Sequence, residues 1–348
     1  MKLGDIARES RETYKGNKTD IPIVGLEHLI SGELRFNDYE VNTDNTFTKV
    51  FHKGQILFGR RRAYLKKAAV AEFDGICSGD ITVIEAIPGK VDARLLPFII
   101  QNDRLFAFAV SRSAGGLSPR VKWEHLADYE FELPSIEEQR VLADKLWAAY
   151  ELKEAYKKMI AATDEMVKSQ FIEMFGDIND NSNGIPFDEI FYDDTKSATK
   201  ISASEYLSSG QYAIYDQSQD TQICGYSNDD DGVNMDYPVI LFGDHSRVVK
   251  LIDRPFYIGA DGVKIIRSKH FDLNIVFAYY MIKYCNIPET GYNRHFKYLK
   301  LKRFFAPDRE KQNRFVAIAQ QADKSKFELQ QAIDKIDKVI KSLVNEKL

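Results

Sequence analysis

Three acid-free stretches of this chain gather side chains that can grip a polyanion. From Lys49 to Lys67 there are seven Lys and Arg, centred on Arg60, Arg61 and Arg62 with Tyr64 and Lys66 beside them. From Arg104 to Lys122 come Arg104, Arg112, Arg120 and Lys122, around Ser113, Gly115, Gly116 and Ser118 of the SAGGLSPR stretch. From Thr290 to Arg303, the cations Arg294, Lys297, Lys300, Lys302 and Arg303 are interleaved with Tyr292, Asn293, His295 and Tyr298. Phosphates need cations at close range, and base edges need Arg, Asn, Gln or Ser reaching into a groove. Glycines let a backbone approach closely. A polar loop, Tyr215, Gln217, Ser218 and Gln219, follows an apolar run, and glutamine can pair with adenine through two hydrogen bonds. Asp244, His245, Ser246 and Arg247 look like a catalytic cluster, but four adjacent residues cannot converge on one atom, so they are read as a further DNA-touching loop. The competing reading of each stretch is a solvated face balanced by nearby acids. For a lone run that reading usually wins; recurrence in both halves of the chain sets the DNA reading level with it.

Catalytic signatures are missing. The twenty glycines never fall two apart, which excludes a Gly-x-Gly dinucleotide fingerprint, and no Gly-Lys-Ser/Thr string of a P-loop occurs. The six histidines lie at least 24 residues apart, so no helix offers two of them to a metal. Ten prolines include no Pro-Pro pair, which removes the Asn/Asp-Pro-Pro-aromatic loop of amino-methyltransferases. Cys77, Cys224 and Cys285 are far apart and make neither a disulfide framework nor a Cys-x-x-Cys site, as in a reducing cytoplasm. No apolar run reaches the ~18 residues of a membrane span. With 48 basic and 52 acidic residues and a net charge of -4, the chain is no uniformly basic coat. Its 348 residues suggest two domains.

The elements that must position these residues occur twice. A shift of 173 sets LPSIEEQR (133–140) on APDREKQN (306–313), matching Pro134 with Pro307 and Gln139 with Gln312. The same shift brings Asp164, Lys168 and Ser169 onto Asp337, Lys341 and Ser342. Earlier in the chain a shift of 184 superposes ILFG at 56–59 on ILFG at 240–243. Each unit begins with short β-rich runs such as ITVIEA, VILFG and VVKLI, broken by Gly, Asn and Asp. Each ends in a long helix. The first starts at a Ser135/Glu138 capping box and ends near Phe175, before Gly176. The second starts with Asp308 as N-cap. Its Leu329, Ile333, Ile336, Ile340 and Leu343 follow a coiled-coil seam, and Tyr156, Ile160, Thr163, Val167 and Gln170 are the weaker counterpart. The expected fold is α+β: β-rich globules at 1–134 and 177–306, with helices at 135–176 and 307–348 pairing antiparallel as a coiled-coil spacer.

The strings ILFGRRRAYLKK, DGICSGD, GGLSPRVKW and LPSIEEQR, in that order, resemble the specificity subunit of type I restriction–modification enzymes. IYDQSQDTQICGY, VILFGDHSR and FYIGADGVKII resemble the family's other form of target-recognition domain, so the likeness runs the length of the chain. The second helix departs from the pattern, reading Pro307-Asp-Arg-Glu-Lys-Gln312-Asn. The resemblance implies a non-catalytic, cytoplasmic subunit that reads a split, asymmetric site on double-stranded DNA. It implies two methyltransferase subunits and motor-nuclease subunits as partners. S-adenosylmethionine, ATP and Mg would sit on those partners and none in this chain. Two other classes stay open on the residues alone: a coiled-coil scaffold that does not read DNA, and a DNA-modifying enzyme with unrecognised motifs.

Overall fold

The computed structural model describes residues 1–219, 222–259, 262–291 and 293–348. It divides into two compact units. One comprises Met1–Lys157 with Gln330–Leu348, the other Lys158–Leu329. The long helices are thus shared: each unit holds one β-rich globule and a half of each helix.

In the first unit a five-stranded sheet runs in the order Ala7–Glu9, Ile81–Ala86, Ile56–Gly59, Ala68–Ala71, Arg35–Phe36. A three-stranded sheet, Ile23–Val24, Gly75–Cys77, Lys49–Phe51, packs on it. The second unit repeats the plan, with Phe191–Asp193, Val263–Ser268, Val239–Gly243 and Val249–Ile252 in one sheet. Lys200–Ile201, Phe256–Gly259, Tyr212–Tyr215 and Gly225–Ser227 form the other.

The two ILFG copies are the central strands, and their unbroken apolar character follows from burial on both faces. Ile56 and Phe58 face the helices, with Phe58 stacked on Phe106, while Leu57 faces the smaller sheet. Ile240 and Phe242 face helix Ile275–Lys283, and Leu241 faces the other way. The repeat extends to register. Phe58 and Gly59 lie opposite Thr82 and Ile81, as Phe242 and Gly243 lie opposite Lys264 and Val263. Burying each of these large side chains stabilises by about 1.5–3 kcal/mol. The smaller sheets share a parallel pair, Ile23–Val24 with Gly75–Cys77 and Lys200–Ile201 with Phe256–Gly259. The antiparallel strand Lys49–Phe51 is reduced in the second unit to a bridge between Asn234 and Phe256, and Tyr212–Tyr215 is an added strand parallel to Phe256–Gly259.

The long helices span Ile136–Phe175 and Arg309–Lys347. Ser135 and Glu138 form the expected capping box, since Glu138 Oε2 accepts from Ser135 N (3.0 Å) and Ser135 Oγ from Glu138 N (3.4 Å). Asp308 Oδ1 accepts from Lys311 N (2.8 Å), and Gly176, at φ +88°, closes the first helix. The matched glutamines are buried and do the same work. Gln139 Nε2 donates to Pro134 O (2.8 Å) while its Oε1 accepts from Asp92 N (2.9 Å). Gln312 Nε2 donates to Pro307 O (2.8 Å) while its Oε1 accepts from Asn274 N (2.7 Å). Each glutamine therefore ties its helix start to its own globule.

All ten seam residues are buried or half-buried. Within each unit the helix halves run antiparallel. In the first, Leu142 and Leu146 share a core with Val344 and Leu348. In the second, the rings of Phe171 and Phe315 lie 5.3 Å apart, edge to face. Charged pairs flank the seam: Lys153 Nζ to Asp337 Oδ1 (2.7 Å) in the first unit, Lys326 Nζ to Asp164 Oδ1 (2.6 Å) in the second. The repeat carries Lys153 onto Lys326 and Asp164 onto Asp337, so these are the same interaction made twice with the helices exchanged. Burial alone would lower Lys326, but hydrogen bonds to Asp164 and Asp323 outweigh it and raise its pKa.

Candidate nucleic-acid interface

In each unit the turn that leaves the central strand grips the basic segment before a short helix. In the first unit Arg60 N donates to Asp80 O (2.9 Å), Val121 N donates to Arg60 O (3.0 Å) and Arg62 N donates to Pro119 O (2.8 Å). Two basic stretches some fifty residues apart in the chain thereby become one surface. Arg61 sits at its centre, with Nη1 3.3 Å from Asp80 Oδ2 and Nη2 donating to Ser118 Oγ (3.1 Å). Arg120 Nε donates to the other oxygen of Asp80 (2.6 Å). Asp80 is held below the usual carboxylate range, first by the Arg120 hydrogen bond and further by Arg61, against the opposing effect of burial. The Nε donors of Arg60 and Arg61 are buried without a hydrogen-bond partner among the described residues, an unusual expense in a native fold.

The other residues of this surface divide by what they touch. Arg62 and Lys66 both adopt positive φ (+53° and +50°), which non-glycine residues avoid. They bracket the one-turn helix Ala63–Leu65, which leaves Tyr64 exposed. Lys66 Nζ is committed to Asp103 (2.6 Å), which also takes Lys341 (2.7 Å). Arg112 lies over the Phe108 ring (5.2 Å). Ser113 Oγ is spent on Ala109 O (2.8 Å), ending helix Asp103–Ser111. Gly115, at φ +119°, and Gly116 shape an exposed turn. Lys122 is the exposed N-cap residue of helix Trp123–Leu126.

The second unit converges three loops. Gln217 Oε1 accepts from His245 N (3.0 Å), and Gln219 Nε2 donates to Ser246 O (3.0 Å). Ser218 N donates to Asp216 Oδ1 (2.8 Å). His245 Nδ1 lies 3.2 Å from Asn293 O, and Asn293 Nδ2 turns back to Thr290 O. His295 N donates to Asp244 O (2.7 Å), the counterpart of Val121 on Arg60, and Phe296 N donates to Asp244 Oδ1 (2.8 Å). Arg247, at φ +62°, bonds Ile287 O (3.3 Å) and pairs with Glu289 (3.0 Å). Arg294 is exposed, and Lys297 Nζ sits over the Tyr298 ring (5.0 Å). Tyr292 lies outside the described residues.

Two expected contacts are corrected. Tyr215 is 2% exposed in the core between the sheets, because it ends strand Tyr212–Tyr215 on the inward side. His295 is 1% exposed; its ring faces Asp244 O (3.0 Å) and it leads into helix Phe296–Leu299 as a structural residue. Asp80 was missed. It lies between the two acid-free runs in sequence, 13 residues past Lys67, and only folding brings it against them.

Known proteins share parts of this sequence and the whole of this fold. Residues 1–161 match the type I restriction modification DNA specificity domain. The specificity subunit of the type I restriction enzyme EcoDI from Escherichia coli is 23% identical over 136 residues. That match covers 38% of this chain and about 30% of the relative's length. The S subunit of a type I restriction–modification system from M. genitalium has the same fold at 14% identity and a TM-score of 0.56, over 99% of this chain and 95% of the other. A chain of a type I R-M system, solved in a study of complex assembly and conformational transition, matches at 17% identity and TM-score 0.53, over 100% and 96%. That family match spans the first β-rich globule and the first part of helix Ile136–Phe175, less than half of the chain. Over its whole length the chain has the fold of a type I specificity subunit, with the expected α+β architecture. Among the described residues no helix is long and apolar enough to cross a membrane, and no cluster of His, Cys, Asp and Glu suits a metal ion.

Proposed function

We propose that the chain is the non-catalytic DNA-reading subunit of a type I restriction–modification complex in the cytoplasm. Each unit reads one half of a bipartite, asymmetric site on double-stranded DNA. The long helices fix the spacing between the halves and dock two methyltransferase subunits, which motor-nuclease subunits join. S-adenosylmethionine, ATP and Mg belong to those partners. One observation carries the reading: a duplicated fold places basic, polar loops at the same structural position twice, at the exit of the central strand and before a short helix. A scaffold that only joined proteins would have no use for such a repetition.

The test is exchange of residues 1–134 for the equivalent segment of a relative with a different target, in cells that also hold the methyltransferase. Mapping methylated sites should show one half-site changed and the other retained. A change in both halves would sink the modular reading, and methyl transfer by the purified chain alone would sink the non-catalytic one.

A further inference from the structure

The basic surface of the first unit carries a pinned hairpin with an apolar apex. Backbone hydrogen bonds from Ala114 N to Arg120 O (3.0 Å) and from Arg120 N to Ala114 O (2.9 Å) close segment 114–120. Five residues form its turn, and the middle one, Leu117, is 97% exposed. Its neighbour Gly116 has nothing within 4 Å of where a Cβ would stand, so the tip is narrow and free of the rest of the fold. The base is fastened by Arg62 N on Pro119 O (2.8 Å), Arg61 on Ser118 Oγ (3.1 Å) and Asp80 on Arg120 (2.6 Å). Arg61, Arg62, Arg112, Arg120 and Lys122 therefore stand around the foot of a thin ribbon tipped with a leucine.

A scattered exposed leucine means little. This one combines full exposure with a rigid stem and a ring of cations. Those cations suit the phosphates on either side of a groove, and a B-DNA major groove admits a two-stranded ribbon. The apolar feature that groove presents is the C5-methyl group of thymine. We propose that this hairpin enters the major groove and that Leu117 selects a thymine through its methyl group. The inference rests on the DNA-reading function above and adds the chemical identity of one base.

The test replaces thymine by deoxyuridine, which keeps every hydrogen-bonding group and removes only the methyl. Duplexes selected by the full-length chain from a random-sequence pool supply the target. Each thymine of that target is then replaced in turn. At one position the wild-type chain should lose affinity about fourfold, the worth of one buried methyl. Leu117→Ala should lose a similar factor on thymine DNA and no longer distinguish thymine from uracil there. The site is exposed, so folding is not at stake. Wild-type indifference to uracil at every position overturns the inference, as does unchanged discrimination by Leu117→Ala. A loss by Leu117→Ala on all sequences alike makes the side chain a non-selective wedge and also overturns it. Failure to enrich any sequence instead overturns the DNA-reading function, and so is distinguishable.

Discussion

Asp80 decides how the cations of the first unit behave. It neutralises part of the charge of Arg61 and Arg120 and fixes both guanidiniums, whose planar forks suit bidentate pairing. Asp80→Asn should therefore strengthen binding to random-sequence duplex DNA, steepen the log–log salt dependence by about one, and weaken discrimination at that half-site. Titration of binding against salt checks this. Because the carboxyl is depressed in the folded chain, its contribution is fully present above the ordinary aspartate pKa of about 3.9 and lost as pH falls through the lower folded value. Thermal stability should thus show no Asp80-dependent change from pH 5 to 8, and Asp80→Asn should match the wild type more closely only in stronger acid. Being partly exposed and screened by solvent, the cluster contributes little to stability. At this scale the sequence was half legible. Residue type and charge runs located the loops, and the structure brings them together. Type could not tell that Tyr215 faces inward or that His295 supports a turn, because both depend on which side of a short element meets the core.

The helices and central strands were the most readable elements, since periodicity and caps are local signals. The buried Gln139 and Gln312 and the ILFG registers give the sequence repeat a physical meaning. The added parallel strand Tyr212–Tyr215 of the second smaller sheet was not readable, because its pairing is long-range and leaves no local pattern. The charged pairs allow a quantitative test of the helix packing. Asp337→Lys sets a second cation against the largely buried Lys153 and should destabilise by about 1–3 kcal/mol. Adding Lys153→Asp restores opposite charges, and the double-mutant cycle should show a coupling of about 1–2 kcal/mol by chemical denaturation. The same exchange at Lys326 and Asp164 should recover less, because Lys326 also holds Asp323 (2.9 Å).

At the scale of the molecule, helices of 40 and 39 residues are each roughly 60 Å long. Four residues inserted near 161–163 add about 6 Å, close to one turn, which a coiled coil absorbs as a stutter. With the methyltransferase present, methylated sites should keep both half-sites and gain unread base pairs between them; an unchanged spacer at full activity would show that the helices do not set it. The exchanged charge pairs add a consequence for assembly. A heptad seam is ambiguous by itself, since sliding one helix seven residues past the other again sets apolar on apolar. One such slide would leave Lys153 against Val344 and Lys326 against Phe171, while Asp337 and Asp164 would meet Ile160 and Ile333. Both cross-helix ion pairs would break at once, one in each unit. The lysines and aspartates thus act as a checksum on the register, rejecting misalignments that grease alone would accept.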